Sequence, residues 1–362
     1  MTKLALGLMS GTSADGLTVC AVQVRPFKIV YFKNYPYSVS LQRTLLNARQ
    51  LCADELSQLN TQLGILYAKT VKRFLQDFHL SPSQISVIGS HGQTVLHAPQ
   101  AKIPHTLQIG EPSFLATQIG VPVVSDFRPK DMALGGQGAP LIPFFDEYIW
   151  GKKNPKLILN IGGISNISLV GKSVCTLGFD VGPGNTLIDL AAQKLLQKPF
   201  DKNGATAAKG IPDKTQIAHL LKQPFFRQKP PKSLDKNDFG LNYLVRCFGP
   251  LENKKTADIL ATLTYFTAAA IADQIFRFIA PNAPRELIIC GGGSYNKTLV
   301  RYLRELLPNL KITTSGAYGI DPQAKEAAAF ALFAYLALHR QINHCPRATG
   351  AKRATILGKI TL

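Results

Sequence analysis

Six cysteines are spread along the 362 residues (Cys20, Cys52, Cys175, Cys247, Cys290, Cys345), and no C-x-x-C pair occurs among them. Such spacing argues against a zinc site and against a disulfide framework. It fits reduced, mostly buried thiols in a cytoplasmic protein. Acidic residues are scarce too: 22 Asp and Glu stand against 41 Lys and Arg, a formal net charge of +19. The basic residues are nonetheless scattered, in short pairs such as Lys152-Lys153 and Lys254-Lys255. With no basic run interleaved with aromatics, no nucleic-acid partner is expected, and the charge favours capture of a small anionic ligand instead. Long uncharged apolar runs are missing as well. The six-residue run after Lys3 is shorter than a signal-peptide core. The most apolar long segment, residues 259–280, carries Asp273, Gln274 and Arg277 and reads as a buried helix, so no membrane span is expected. The phosphate loop G-x-x-x-x-G-K-[ST] is also absent, so any nucleotide site belongs to another class.

What is present describes an ordinary globular chain, 46% hydrophobic and 17% charged. Its length exceeds the size at which one core stops growing, so two lobes are expected. The first lobe opens with strand-like runs at 4–9, 17–24 and 29–37. A helical pattern over 55–78 follows, with Leu56, Leu59, Leu63, Leu66, Phe74 and Phe78 near one face. Runs at 85–88 and 121–124 read as buried parallel strands. A second set begins with strands at 157–161, 167–170 and 175–179, and Asn185 is placed to cap a helix running to Leu195. Helices over 259–279, 297–307 and 325–338, with strands at 286–290 and 311–314, complete an α/β pattern. Each set opens with strand, glycine-rich turn, strand, a loose echo of two similar halves. The expected division is 1–127 and 128–362, with the C-terminal segment returning toward the first lobe. Residues 129–137 mark the crossover, and 223–237 form a surface loop.

The stretch LALGLMSGTSADGLTV at 4–19 sets two apolar runs around a turn of small residues. Successive backbone N–H groups of such a turn can converge on phosphate oxygens. Thr12 and Ser13 add hydroxyl donors, Gly11 and Gly16 permit close approach, and Asp15 either binds a metal-bound water or stabilises the turn. A plain hairpin satisfies the same composition. Asn160, Gly162 and Gly163 in Asn160-Ile-Gly-Gly-Ile-Ser-Asn166 repeat the offer from the second half. Gly291, Gly292 and Gly293, between a strand and a helix, leave a flat backbone face for adenine and ribose, although a tight turn alone needs one or two glycines.

Asp180 stands at the end of an apolar strand, where ligands of open α/β sheets bind. The Gly182-Pro-Gly-Asn185 turn after it aims the next helix's N-terminus at the same place. A carboxylate there can take a proton from an attacking hydroxyl or water. Its competing role, capping the helix, suits Asn185 better. In Gly89-Ser-His-Gly-Gln-Thr94, His91 and Gln93 either hydrogen-bond a sugar-like substrate or serve the structure. Asp126, Arg128 and Asp131 either join a site or form an internal ion-pair network, and Glu326 either joins it or simply complements a helix dipole.

Taken in order, these stretches resemble the 1,6-anhydro-N-acetylmuramic acid kinase family from end to end. The resemblance is carried by Gly7-Leu-Met-Ser-Gly-Thr-Ser13 with Asp15-Gly16, Gly89-Ser-His-Gly-Gln-Thr94, Gln108-Ile-Gly-Glu111, Asp126-Phe-Arg128 and Gly135-Gly-Gln-Gly-Ala-Pro140. It continues through Asn160–Asn166, Gly178–Asn185, Phe200-Asp-Lys-Asn-Gly204, Cys290-Gly-Gly-Gly293, Lys325-Glu-Ala and Thr349-Gly-Ala-Lys-Arg353. It implies the two-lobed acetate/sugar kinase, Hsp70 and actin type (ribonuclease H-like) fold with ATP in the interlobar cleft. The implied reaction opens 1,6-anhydro-N-acetylmuramic acid with ATP and water to N-acetylmuramic acid 6-phosphate, a step of murein recycling. By position, the resemblance makes residues 11–18 (Gly11, Thr12, Ser13, Ala14, Asp15, Gly16, Leu17 and Thr18) the ATP loop and Asp180 the general base. His91 and Glu326 would line the sugar site, Mg²⁺ would sit on the phosphates, and a homodimer is common in such a family. Three places depart from the family pattern: Ala14 for Met, Thr18 for Asp, and Ser233-Leu-Asp-Lys-Asn-Asp238 in a loop usually reading Lys-Ser-Thr-Gly-Arg-Glu. The alternatives are an actin- or Hsp70-like ATPase and a kinase for another amino sugar.

Overall fold

The computed structural model describes residues 3–152, 154–171, 177–230, 232, 234, 238–249, 254–279 and 284–362. They divide into two compact units. Unit 1 runs to Phe145 and takes up Ala324–Leu362, while unit 2 is the continuous stretch Asp146–Gln323.

In unit 1, β1 (Leu4–Ser10), β2 (Gly16–Gln23) and β3 (Lys28–Pro36) form an antiparallel meander, and β4 (Ile85–Ser90) adds parallel to β1. β5 (Gln93–Ala98) and β6 (His105–Ile109) pair as a separate hairpin, and β7 (Val123–Ser125) extends the main sheet parallel to β4. The central strands are covered on both faces, which is why β1 reads as a continuous apolar run and not as an alternation. On one face Leu6, Leu8, Val19 and Ala21 pack under the helix Ala53–Asp77, whose Leu59, Leu63, Tyr67, Val71 and Phe74 recur at helical spacing.

The opposite face depends on two missing side chains. Gly7 and Gly89 lie side by side on β1 and β4. A Cβ on either would run into the backbone of the helix Lys325–Leu338, at the carbonyls of Ala327 and Phe330. That helix meets the sheet with alanines (Ala327, Ala328, Ala331, Ala334), so backbone lies almost on backbone.

Unit 2 repeats the plan. β8 (Lys156–Ile161), β9 (Ile164–Val170) and β10 (Leu177–Pro183) form a meander, β11 (Glu286–Cys290) pairs parallel with β8, and β12 (Lys311–Thr314) parallel with β11. With the strands of each main sheet ranked in chain order, unit 2 reads 3-2-1-4-5, and unit 1 reads the same with a sixth strand, the C-terminal Lys359–Thr361, added beyond the fifth. This duplicated order is the ribonuclease H-like arrangement that the motifs imply. Leu157, Leu159, Ile167, Phe179, Leu287 and Ile289 fill one core with residues of the helices Thr256–Phe278 and Lys297–Leu306. By length and composition the helix Thr256–Phe278 could cross a membrane, yet most of it is buried inside the protein. The third strand of this set runs over Leu177–Pro183 where the sequence pointed to 175–179; Cys175 lies outside the described residues, as do Ser233 and 235–237 of the departing loop.

The division between units falls within the helix Ile142–Trp150, whereas the sequence pointed to a boundary at 127/128. A buried carboxylate helps hold residues beyond 128 to unit 1. Asp131 accepts hydrogen bonds from Gly138 N–H (2.5 Å) and Thr349 Oγ1 (2.5 Å) and contacts His344 Nε2 at 2.6 Å, which ties residues 131–138 to the C-terminal segment. A last strand, β13 (Lys359–Thr361), then pairs antiparallel with β7. Gly89→Ala is expected to lower stability by about 1–3 kcal/mol, the usual cost of overpacking, read as a lower urea midpoint. Gly316→Ala is the control: its nearest neighbour would be 3.6 Å away, and it should leave the midpoint in place.

Candidate active site

The turn between β1 and β2 closes through Ala14 N–H donating to the Gly11 carbonyl (3.0 Å), with Ala14 buried at a φ of 49°. Thr12, Ser13 and Asp15 are exposed. The base of the turn is held by a polar chain: Tyr37 Oη donates to Ser10 Oγ (2.9 Å), Ser10 Oγ to Gln93 Oε1 (2.5 Å), and Gln93 Nε2 to the Gly11 carbonyl (3.2 Å). Gln93 is therefore a buried bracket for the loop, with both ends of its amide engaged. Gly16 and Leu17 already belong to β2, and the Thr18 hydroxyl donates to Asn34 Oδ1 on β3 (3.2 Å).

His91 sits at the end of β4, buried against the Phe330 ring. Its Nδ1 lies 2.9 Å from the Gly92 carbonyl and its Nε2 2.8 Å from Arg128 Nη2, so the ring donates at one nitrogen and accepts at the other. Burial, reinforced by the Arg128 charge, pushes its pKa down to about 3. His91 is neutral and occupied. The charged group that comes with it is Arg128, whose Nη1 donates to the Gly138 carbonyl (2.8 Å) while its buried Nε has no protein partner among the described residues. Burial lowers the guanidinium to about 10 against the opposing pull of Glu326 and Asp131. Glu326, at the start of the helix Lys325–Leu338, has its carboxyl pKa raised by burial and drawn back by Lys325 and Arg128. Asp126, Arg128 and Asp131 do not form one network: Asp126 pairs with Lys359 (2.9 Å), and Asp131 faces the C-terminal segment.

In unit 2 a single row crosses one end of the sheet. Asp180 on β10 lies opposite Asn166 on β9, which lies opposite Asn160 on β8. Opposed residues in a ladder share a face, and the alternate residues Phe179, Ile167 and Leu159 point into the core. The three polar side chains thus stand together on the other face. Asp180 N–H donates to the Lys232 carbonyl (3.0 Å), and the Leu234 N–H donates to its Oδ2 (2.8 Å). Burial raises the carboxyl to about 6, while the Leu234 N–H and then the Lys232 charge hold it back from rising further.

The turn after Asp180 is packed onto the turn after β8. Gly184 and Asn185 N–H groups donate to the carbonyls of Gly163 and Gly162 (2.8 Å each), and Thr186 N–H to Gly163 (3.2 Å). These leading N–H groups of the helix Thr186–Leu196 are therefore already used. Asn185 takes the N-cap position of that helix but makes no side-chain cap bond; its amide donates to the Ile161 carbonyl (3.3 Å) instead. Further along this helix, burial alone pushes the Asp189 carboxyl up to about 7. Gly291 and Gly293 are required by packing against Ile161, whereas Gly292 is exposed and a Cβ there would meet nothing nearer than 3.9 Å. Gly11 and Gly162 have comparable room, with nearest neighbours at 3.8 and 3.6 Å. Neither crowding nor a positive φ asks for glycine at these three positions, so the bare backbone there is open to a ligand. Among the described residues no group of His, Cys, Asp and Glu is gathered to hold a metal ion.

The family pattern described as anhydro-N-acetylmuramic acid kinase matches residues 3–362. The anhydro-N-acetylmuramic acid kinase of Actinobacillus pleuropneumoniae serotype 7 (strain AP76) is 40% identical over 99% of both chains. That of Pasteurella multocida (strain Pm70) is also 40% identical, over 99% of this chain and 97% of its own. The chain belongs to the anhydro-N-acetylmuramic acid kinase family. Its relative in Caldanaerobacter subterraneus subsp. tengcongensis is 37% identical, again over 99% of this chain. Among solved structures, component A of the Acidaminococcus fermentans (R)-2-hydroxyglutaryl-CoA dehydratase aligns over 92% of this chain and 98% of its own, at a TM-score of 0.49 and 12% identity.

Within this kinase family member, composition gave no sign that Arg128 would be bound to His91 or that the backbones of Lys232 and Leu234 would clamp Asp180, since each pairing spans 37 residues or more. Arg128→Met is expected to raise the His91 pKa from about 3 yet leave it below its ordinary 6.5, because burial is the larger cause. Ring ¹⁵N shifts followed through an acid titration check this, and an unmoved His91 would free Arg128 of the effect.

Proposed function

We propose that this chain is an ATP-dependent kinase that opens 1,6-anhydro-N-acetylmuramic acid with water and delivers N-acetylmuramic acid 6-phosphate, serving peptidoglycan recycling. The observation that carries this reading is Asp180: a half-buried carboxylate in a polar row with Asn160 and Asn166, with a pKa near 6, in a member of this family. A base works best when its pKa lies near the working pH, and such proton transfer contributes about 10²–10⁴-fold. Asp180 takes a proton from water as the water oxygen bonds to C1. The C1–O6 bond breaks, O6 bonds to the γ-phosphorus of ATP, and the bond to the departing ADP oxygen breaks.

ATP is held in this reading by Gly11, Thr12, Ser13, Ala14, Asp15, Gly16, Leu17 and Thr18, by Asn160, Gly162 and Gly163, and by Gly291–Gly293. The three uncrowded glycines, Gly11, Gly162 and Gly292, support it, because a ligand can lie against backbone only where no side chain intervenes. Mg²⁺ neutralises phosphate charge when bound. The sparse carboxylates fit an ion that arrives on the nucleotide, keeping several waters and few protein ligands. Arg128 and Glu326 are assigned to the sugar, one an unfinished donor set and the other a buried carboxyl. His91 orients Arg128, and Gln93 braces the ATP loop. The scattered cysteines, none of them in a C-x-x-C pair, suit a reducing cytoplasm. A homodimer is the assembly we expect.

Purified protein with ATP and a panel of anhydro- and open amino sugars tests the reading. Sugar-stimulated ADP release and ¹⁸O from labelled water at C1 are expected; sugar-independent hydrolysis would favour the ATPase alternative. Asp180→Asn should lose about 10²–10⁴-fold in kcat with nucleotide affinity little changed. Because only ionised Asp180 can accept the proton, kcat/KM should fall as pH drops through about 6. The sign for stability is opposite. A folded pKa of about 6 lies above the ordinary 3.8, so the ionised group destabilises the fold above that window, and the penalty fades as pH falls toward 3.8. Asp180→Asn should accordingly match or exceed the wild-type Tm at alkaline pH.

A further inference from the structure

The segment that clamps Asp180 is itself anchored, and the anchor is charged. Lys232 Nζ donates to Gln274 Oε1 (2.5 Å) and to the Phe225 carbonyl (3.0 Å). It lies over the Phe225 and Phe278 rings at 4.3 and 5.0 Å from their centroids. Gln274 is fully buried on the helix Thr256–Phe278, its Nε2 donating to the Phe226 carbonyl (3.0 Å) and to Asp273 Oδ2 (2.8 Å). The backbone of the same lysine accepts from Asp180, and the Leu234 N–H reaches the Asp180 carboxylate.

We propose that Lys232 is a positioning residue for the general base: its ammonium fastens its own backbone, which accepts from Asp180 N–H, to the helix Thr256–Phe278, and its charge favours the ionised form of Asp180. The inference rests on Asp180 serving as the base. Two observations separate this role from packing alone. First, the ammonium's hydrogen-bond partners are a neutral amide and a neutral carbonyl, so its charge is not cancelled by them and is felt at Asp180. Second, burial drives the lysine down to about 8, with Asp273 and Asp180 supporting its charge and Arg277 opposing it. A neutral side chain could fill the gap between the two rings without that desolvation. The cation is held there by its two hydrogen bonds and two rings, and its field reaches the acids beside it. The neighbours facing it are Asp180 on β10, Asp273 and Arg277 on the helix, and Gln274, which is uncharged. Arg277 is already bound to Asp273 (2.8 Å), and among the described residues Asp180 makes no ion pair within 4 Å, so the nearby Lys232 charge acts on it through space.

The test is Lys232→Met, which keeps an unbranched apolar stem between the rings, with Lys232→Arg as the charge-retaining rescue. Aspartate-¹³C-labelled protein reports the Asp180 carboxyl directly, assigned by its loss in Asp180→Asn. A wild-type midpoint near 6 is expected, moving up by about 0.5–1 unit in Lys232→Met, at the low end of the effect of a nearby opposite charge, and returning in Lys232→Arg. The acid limb of kcat/KM should follow by the same amount, with KM for ATP unchanged. An Asp180 midpoint identical in wild type and folded Lys232→Met overturns the inference. Should that variant not fold, Lys232→Gln, which keeps a donor and removes the charge, carries the same expectation, and an unmoved midpoint there overturns the inference equally. The titration needs no turnover. A wild type that leaves the anhydro-sugar untouched would therefore sink the functional reading, while a static midpoint would sink this one.

Discussion

At three glycines, Gly7, Gly89 and Gly184, the chain passes closer to its neighbour than a side chain permits. On the unit 1 sheet, Gly7 and Gly89 let the helix Lys325–Leu338 rest on the strands through its own carbonyls. That contact fixes where the helix begins, and so where Glu326 stands relative to Arg128 on the same unit. In unit 2, Gly184 meets the Gly162 carbonyl with no room for a Cβ, which welds the turn after Asp180 to the turn after β8. Steric exclusion of this kind is steep, so the geometry it sets is stiffer than any hydrogen bond could make it.

Electrostatics act within that rigid frame. A carboxylate acting as a base, the role proposed for Asp180, must be dry enough for its proton affinity to rise and wet or paired enough to stay ionised. Asp180 is balanced between the two: burial pulls its pKa up, and one backbone N–H with one cation restrain it. His91 shows the opposite solution. Buried beside an arginine, it stays neutral and serves by accepting a hydrogen bond.

The strands and the long helices were legible from apolar runs and periodicity, down to identical bounds for β11, β12 and the helix Lys325–Leu338. Burial on both faces makes such runs unmistakable. Other elements carry no such signature: the β5–β6 hairpin, whose residues are only partly covered, and the short helices Pro112–Ile119 and Leu241–Phe248, whose patterns are too brief to stand out. Of the site, the residue types could be picked out but not their partners. Gln93 was visible as a polar residue beside a turn; that it grips Ser10 and Gly11 across more than 80 positions is a tertiary fact. Asn185 illustrates the reverse, since its sequence context promised a cap and its side chain instead ties down Ile161. Local preference is weak wherever a tighter long-range bond competes.

One unit is continuous and the other is not. During synthesis, residues 146–323 can close their sheet as soon as they leave the ribosome. Unit 1 stays incomplete until the final residues emerge, because before then Asp131 lacks His344 and Thr349, and β7 lacks β13. The usual order of maturation, amino-terminal part first, is therefore inverted, and a nascent chain stalled before residue 324 would carry a finished middle and an unfinished beginning.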